Sequence, residues 1–225
     1  MQLDIDFVSD VSCPWCAIGL HALEQALQRL APEGLQATIR FQPFELNPQM
    51  PPGGEDVGEH LARKYGMGPS QLAASADGLR ARGAEVGFTF GDGRRRIYNT
   101  FDAHRLLHWA GTQGAAAQGA LKHALFSAYF TDGRDVSDPA VLRACAEQAG
   151  LDGAAAAALL ASDEGTTEVR AAEALWRDER DVHAVPAVVV AGRYLIQGGQ
   201  PADVFERTLR RIAQREAEAR AADGG

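Results

Sequence analysis

The chain has 225 residues, 46% of them hydrophobic, which suits one large domain, or one domain carrying an insertion, with no need of a disulfide scaffold. Its 22 basic and 30 acidic side chains give a net charge of −8 at pH 7, which disfavours nonspecific binding to nucleic acid or to an anionic membrane. No stretch approaches the roughly 18 apolar residues of a membrane span, and no targeting segment precedes the first predicted strand, so we expect a cytoplasmic protein.

The N-terminal segment is predicted to form a strand, a helix and a second strand. Residues 3–8 alternate between apolar and polar, which predicts a strand, and apolar residues recur at helical spacing from Pro14 to Leu30. Residues 38–44 alternate again, and Pro43 indicates where this second strand ends. A helix that joins two strands in this order is typical of a crossover between parallel strands.

The middle of the chain, from Glu55 to Val182, is predicted to be helical throughout, after a linker at 47–54 that is rich in Pro and Gly. Helical patterns cover the segments 60–65, 71–85, 101–109, 118–130, 138–148, 154–160 and 168–181. Asn99 precedes one of them as a candidate N-cap, with Asp102 three positions later as in a partial capping box. The basic run at 94–96 is expected to be a solvated loop.

The C-terminal segment is predicted to form two strands and a helix. Residues 185–190 are a dense apolar run typical of a buried strand, Ala191-Gly192 is a candidate tight turn, and 194–196 is a second strand. A helix is expected to begin at Pro201 and to end near residue 218. The final Gly224-Gly225 is expected to be frayed.

The two ends of the chain are each too small to fold alone, which predicts that they pack into one sheet. We therefore expect residues 1–50 and 183–225 to form one domain, with the helix near 168–181 packed on it. Residues 55–167 are expected to form an inserted helical domain. No heptad pattern or large apolar face stands out, so the sequence leaves the oligomeric state open.

Two cysteines, Cys13 and Cys16, stand in a Cys-Pro-Trp-Cys motif where the first strand gives way to the first helix. A thiol in the first turn of a helix faces unsatisfied backbone N–H groups and the positive end of the helix dipole, and both favour the thiolate. We expect Cys13 to be the more exposed thiol and Cys16 to lie one turn deeper. Trp15 between them carries no charge and would offer an apolar surface. The pattern predicts a pair that exchanges disulfides with another molecule.

A zinc site is the competing interpretation of such a cysteine pair, and it needs two further Cys or His ligands. The sequence has no second pair of this kind, and no zinc-binding helix motif frames His104 and His108, so no metal is expected. Cys145 lies in a predicted helix, where it is either a buried apolar residue or an extra redox partner. Asn99 and His104 either line the cleft beside the cysteines or serve as an N-cap and a packing histidine.

Three features together resemble the DsbA-like branch of the thioredoxin-fold oxidoreductases. These are the cysteine motif after the first strand, Val185-Pro186 at the start of the third, and a β-β-α end preceded by a helical block. Four segments resemble the cytoplasmic FrnE-like proteins in particular: 9–19, 43–48, 99–106 and 124–130. The resemblance covers nearly the whole chain and implies a thioredoxin-like α/β fold (β-α-β … β-β-α) with a large all-helical insertion.

The resemblance also implies the chemistry of a protein dithiol–disulfide oxidoreductase. Cys13 matches the nucleophilic cysteine, Cys16 matches the resolving one, and Pro186 matches a cis-proline that faces the pair. The cleft for clients would be formed by Pro14, Trp15, Val185 and Pro186. His183-Ala184 precedes Val185, where relatives usually carry a glycine. The implied partners are proteins or small molecules with thiols or disulfides, with no resident cofactor and with glutathione as a candidate redox partner.

The same scaffold resembles two glutathione-dependent enzymes, the kappa-type transferases and the 2-hydroxychromene-2-carboxylate isomerases. Those relatives place a serine at the position of Cys13 and carry Gly-Ser-Asp where this chain has Gly198-Gly199-Gln200. Both departures favour the oxidoreductase. Asn47 and Lys64 match glutathione-binding positions, so a glutathione-dependent transferase or isomerase stays the alternative function. A chaperone-like binding protein with an idle cysteine pair is a third interpretation.

Overall fold

Four strands form a central sheet in the computed structural model, which describes residues 1–51 and 53–223. In chain order the strands are β1 (Gln2–Ser9), β2 (Gln36–Pro43), β3 (Glu55–Asp56), β4 (Arg96–Ile97), β5 (Ala187–Val190) and β6 (Tyr194–Gln197). The central sheet has the order β2-β1-β5-β6, with β1 parallel to β2 and with both other pairs antiparallel. The predicted parallel crossover and the joining of both chain ends in one sheet are confirmed. The frayed end expected at Gly224-Gly225 lies outside the described residues.

Helices cover both faces of this sheet and make up most of the segment between β2 and β5. They are α1 (Pro14–Leu30), α2 (Val57–Tyr65), α3 (Pro69–Glu85), α4 (Phe101–Thr112), α5 (Ala115–Phe126), α6 (Pro139–Gln148), α7 (Gly153–Leu160), α8 (Thr166–Ala174) and α9 (Ala202–Asp223). α1 packs on α9, whereas α4, α5 and α8 contact β2. Short π-helical turns at 127–131 and 175–179 extend α5 and α8. No helix within the described residues has the length and hydropathy needed to cross a membrane.

Local sequence signals account for several of these boundaries. Pro14 stands in the first turn of α1, where its missing N–H costs no hydrogen bond. Asp56 begins α2 by accepting a hydrogen bond from the N–H of Glu59 at 3.0 Å, and Gly66 ends it in the left-handed region, with φ of 70°. Ala191 and Gly192 both have positive φ in the three-residue turn that joins Val190 to Tyr194, where the N–H of Arg193 donates to the carbonyl oxygen of Val190 at 3.2 Å.

The middle of the chain is not helical throughout, which corrects the prediction at two places. β3 and β4 pair in a short antiparallel ladder. The prediction missed them because a strand of two residues shows too little alternation between apolar and polar positions to be recognised. Asn99 does accept a hydrogen bond from the N–H of Phe101 at 2.9 Å. The prediction of a partial capping box is wrong, since the carboxylate of Asp102 instead accepts a hydrogen bond from the guanidinium of Arg105 at 2.8 Å.

One hydrophobic core runs from the central sheet into the helices of the middle segment. It contains Phe7 on β1, Leu20 on α1 and Phe126 on α5, all fully buried. The rings of Phe7 and Phe41 meet edge to face across β1 and β2, with centroids 5.8 Å apart. The sheet therefore uses the middle helices as a wall of its own core. The division into two domains stays a prediction.

Candidate active site

Cys13 and Cys16 lie at the junction of β1 and α1, where a short turn carries the chain from sheet to helix. Cys13 is the N-cap, and its carbonyl oxygen accepts hydrogen bonds from the N–H groups of Cys16 at 3.1 Å and Ala17 at 3.4 Å. Cys13 is 4% exposed and Cys16 is 0% exposed. The predicted order of depth is confirmed, although even the outer thiol is largely covered.

The segment before β5 faces the cysteine pair, as the resemblance implies. The Val185–Pro186 peptide bond is cis, and the Sγ of Cys13 lies 3.7 Å from the carbonyl oxygen of Val185. α1 approaches this segment closely, because a Cβ added at Gly19 would lie 3.1 Å from the Cγ of Pro186. Small residues in the helix therefore let the two halves of the site meet.

An open cavity of about 420 Å³ leads to Cys13 and forms the front cleft of the site. Pro14, Trp15 and Val185, three of the predicted cleft residues, line it. Trp15 is 45% exposed, and it presents an apolar face beside the reactive thiol. The other apolar walls are Leu46, Leu61, Tyr65, Met67, Leu79 and Ile97. This opening is large enough for a thiol-bearing small molecule or peptide segment.

Asn47 and Lys64 lie together on the wall of the front cleft. The Nζ of Lys64 donates to the Oδ1 of Asn47 at 2.8 Å and to the carbonyl oxygen of Leu46 at 3.2 Å. Both residues line the same cavity as Cys13. Asn99 is not among the residues that line it, and its hydrogen bond to the start of α4 gives it a structural position.

Arg94 also lines the front cleft, which the sequence did not indicate. Its guanidinium lies over the rings of Tyr129 and Phe130, 5.1 Å and 5.3 Å from their centroids, and its Nε is buried with no hydrogen-bond partner among the described residues. The expectation of a solvated loop is therefore wrong for this residue. No Asp or Glu is found among the described residues that line the front cleft.

A buried carboxylate, that of Asp10, lies directly behind the cysteine pair. Its oxygens accept hydrogen bonds from the N–H of Ser12 at 3.1 Å, the hydroxyl of Ser12 at 3.0 Å and the N–H of Leu46 at 2.7 Å. The Nε2 of His104 lies 3.6 Å from its Oδ1. Burial alone would raise the pKa of Asp10. His104 and these N–H groups act in the opposite direction and lower the pKa of Asp10 to about 2. His104, which is 2% exposed, thus faces Asp10 behind the thiols and does not line the front cleft.

Two more buried groups complete the rear of the site. Burial, followed by the neighbouring Cys13, raises the pKa of the Cys16 thiol well above its ordinary value. Burial lowers the pKa of Lys122 on α5 to about 8, against the opposing influence of Cys16, Asp10 and Cys13. Cys16 therefore needs a stabilising charge from elsewhere in the protein to ionise.

Cys145 is remote from this pair in its contacts. It lies fully buried on α6, with its Sγ 3.9 Å from the carbonyl oxygen of Ala124. Burial raises the pKa of its thiol. Its surroundings are those of an apolar packing residue. Within residues 1–51 and 53–223, no group of three or more His, Cys, Asp or Glu side chains is arranged to hold a metal ion.

The chain is similar to known proteins over most of its length. Residues 4–210 match the family model of the DSBA-like thioredoxin domain. The crystal structure of the probable DsbA oxidoreductase SCO1869 from Streptomyces coelicolor is 34% identical, with a TM-score of 0.84, over 93% of this chain and 89% of that one. The uncharacterized protein YwbO from Bacillus subtilis is 27% identical over 93% of this chain and 96% of its own length. The cytosolic disulfide reductase DsbM from Pseudomonas aeruginosa, solved with GSH, shares the fold at 16% identity, with a TM-score of 0.63 over 94% and 99% of the two chains.

Proposed function

The chain belongs to the DSBA-like thioredoxin domain family, and from this premise we propose that its Cys13–Cys16 pair exchanges disulfides with thiol-bearing clients. The observation that carries the proposal is the unequal placement of the two sulfurs. Cys13 ends an open cleft, whereas Cys16 is sealed one helical turn behind it. One sulfur can therefore meet a client while the other waits to complete the exchange.

The exchange takes two steps in each direction. In the reducing direction, the Cys13 thiolate attacks a sulfur of the client disulfide, and the other client sulfur leaves as a thiolate. The Cys16 thiolate then attacks the Sγ of Cys13, and the second client sulfur leaves with the electron pair of the mixed disulfide. Run backwards, the Cys13–Cys16 disulfide oxidises a client dithiol by two electrons, so both directions balance.

The start of α1 supports Cys13 as the attacking sulfur. Its position at the N-cap brings the thiol to the end of the helix where backbone N–H groups lack intrahelical partners. The carbonyl of Val185 and the exposed ring of Trp15 border the same space and would hold the client backbone and side chains. The close approach of Gly19 on α1 to Pro186 sets the distance between the helix side of the site and the side formed by Val185.

Glutathione is a fitting small-molecule partner for this cleft. Lys64 and Asn47 place an ammonium group and an amide on its wall, and these could bind a carboxylate and a peptide group of the tripeptide. DsbM, whose structure contains GSH, shares the fold, and this supports glutathione as a partner without fixing it for this chain. A cytoplasmic location remains a proposal that rests on the sequence resemblance.

A glutathione-dependent transferase or isomerase is the second candidate, favoured by the same Lys64–Asn47 pair. The two functions differ in what Cys13→Ser does. Reduction of a mixed disulfide between glutathione and a fluorescent peptide should fall to background in Cys13→Ser, because the remaining Cys16 and Cys145 are fully buried and do not reach the client. Conjugation or isomerisation that survives this change would support the second candidate and refute the first.

The natural client can be captured with Cys16→Ser. This variant should accumulate a mixed disulfide on Cys13, because the resolving sulfur is absent, and mass spectrometry would identify the bound partner. Cys145→Ser is the matched control and should exchange disulfides at the wild-type rate. Protection of unfolded clients by the Cys13→Ser, Cys16→Ser double variant, with no exchange by the wild type, would favour a chaperone-like protein.

A further inference from the structure

Lys122 is a fully buried lysine whose ammonium group has no hydrogen-bond partner among the described residues. It is one of two lysines in a chain that has 22 basic residues, Lys and Arg together. Its Nζ lies 4.8 Å from the ring centroid of Phe126 and 5.9 Å from that of Phe41. Aromatic faces attract a cation, but they do not repay the several kcal/mol that burying an ion costs. A buried ammonium group therefore needs a nearby anion to stabilise its positive charge.

The anions within its electrostatic reach belong to the active site. Cys16, Asp10 and Cys13 oppose the lowering of the Lys122 pKa by burial, Cys16 most strongly. Asp10 already accepts three hydrogen bonds from Ser12 and Leu46 and remains ionised at neutral pH. Its carboxylate is therefore already stabilised by donors other than Lys122. A thiolate on Cys16, by contrast, has few donors of its own, the backbone N–H of Asp10 being one that favours it.

We propose that the ammonium group of Lys122 stabilises the Cys16 thiolate that forms whenever the Cys13–Cys16 disulfide opens. The inference rests on the proposed disulfide exchange. A client thiolate attacks the Sγ of Cys13, the bond between the two cysteines breaks, and its electron pair leaves on the Sγ of Cys16. Lys122 acts on that sulfur through its charge and neither forms nor breaks a bond. It is a positioning residue, supplied by the helical segment between β2 and β5.

The charged groups around Lys122 show which side of the cysteine pair it acts on. A second cavity, of about 360 Å³, opens on the side of β2, and Arg40, His104, His108 and Lys122 line it. No Asp or Glu is found among its described lining residues. Asp10 and Cys13 act on Lys122 from the turn between β1 and α1, and His104 faces Asp10 from α4. A client in the front cleft would cover Cys13 but leave this basic rear side unchanged.

Removing the charge should make the Cys16 thiolate, which is the leaving group when the disulfide opens, less stable. In Lys122→Met, the rate constant for opening of the Cys13–Cys16 disulfide by glutathione should fall about tenfold. In a Cys13→Ser background, alkylation of Cys16 should need a higher pH once Lys122 is methionine. Lys122→Arg should restore part of both effects. Arg40→Met is the matched control, because it removes an exposed cation from the same cavity and should change neither measurement.

Stability separates this role from a structural one. Lys122→Met removes a buried charge and keeps the length of the side chain, so its free energy of unfolding should equal or exceed that of the wild type. An unchanged opening rate and an unchanged alkylation profile in a folded Lys122→Met protein would overturn the inference. If the wild type exchanges no disulfides but the alkylation shift is observed, the proposed function fails and the electrostatic inference stands.

A measurement at lysine itself avoids dependence on any Lys122 variant. With two lysines in the chain, 13C labelling at the lysine Cε gives two signals, and Lys64→Arg assigns them. Because coupling between two titrating groups is reciprocal, Lys122 should titrate at a higher pH in Cys13→Ser than in the Cys13→Ser, Cys16→Ser double variant. Identical titration midpoints in the two proteins would refute the proposal.

Discussion

The buried carboxylate of Asp10 should contribute a measurable, pH-dependent part of the stability of this protein. Its pKa falls from the ordinary 3.8 to about 2 in the folded chain, which corresponds to about 2.4 kcal/mol of stability. A lowered carboxyl pKa means that the folded state favours the ionised form. The contribution is therefore complete above about pH 4 and is lost as the pH falls through about 2.

Asp10→Asn tests this contribution with little change in size. The asparagine has one acceptor oxygen, so its NH2 group must face at least one of the donors from Ser12 and Leu46 that the carboxylate satisfied. At pH 7 the variant should lose at least about 2 kcal/mol of unfolding free energy. The difference between variant and wild type should shrink as the pH falls from 4 towards 2.

Urea unfolding of the reduced proteins, followed by circular dichroism from pH 2 to pH 7, measures both quantities. Asp4→Asn is the matched control, because Asp4 lies on β1, the strand that precedes Asp10, but is exposed and paired with Arg40 at 3.1 Å. Its stability should change by no more than about 0.5 kcal/mol. A loss in Asp10→Asn that stays constant across this pH range would refute the reasoning.

Two further predictions concern the surroundings of the site. Burial, followed by the charge of Glu173, raises the pKa of Glu45 from 4.5 to about 7, so its folded state favours the protonated acid and stability should fall between pH 4.5 and 7. Glu45→Gln should flatten this decline, which is no more than about 3 kcal/mol, and a urea-unfolding profile that keeps the wild-type slope would contradict it. Gly199→Ala should lower both stability and disulfide turnover, because its Cβ would lie 2.8 Å from the carbonyl oxygen of Trp15. Gly78→Ala on exposed α3 is its control, because a Cβ there meets nothing within 4 Å. This variant should gain up to about 1 kcal/mol of unfolding free energy with turnover unchanged. Equal losses in both alanine variants would refute the steric argument.

The parts of the fold that local patterns control were predictable from the sequence. Alternation defined β1 and β2, the position of Pro14 defined the start of α1, and Ala191-Gly192 defined the turn between β5 and β6. Each of these signals lies within a few residues of the structure that it specifies. The joining of both chain ends in one sheet was also predictable, because neither end could bury its apolar residues alone, whereas the pairing of β1 with β5 was not specified.

The rear of the site was not predictable, because its members come from distant parts of the chain. His104 was expected either to line the cleft or to pack, but nothing in the local sequence of Asp10 or Lys122 indicates that they are buried with it. Arg94 was hidden for a related reason, since a run of three arginines is typical of a solvated loop and only packing against Tyr129 distinguishes one of them. The resemblance supplied Cys13, Cys16 and Pro186, but it implied no role for these buried groups.

The placement of charge behind the cysteines explains why the helical segment between β2 and β5 matters for exchange. Helix α1 can favour a thiolate at its own N-terminus, but the dipole effect falls off within the first turn and Cys16 lies at the end of that turn, fully buried. A stable Cys16 thiolate therefore needs a positive charge from outside the β-α-β unit. α5 packs on β2 and carries Lys122, so the helix that covers the core also influences how readily the disulfide opens.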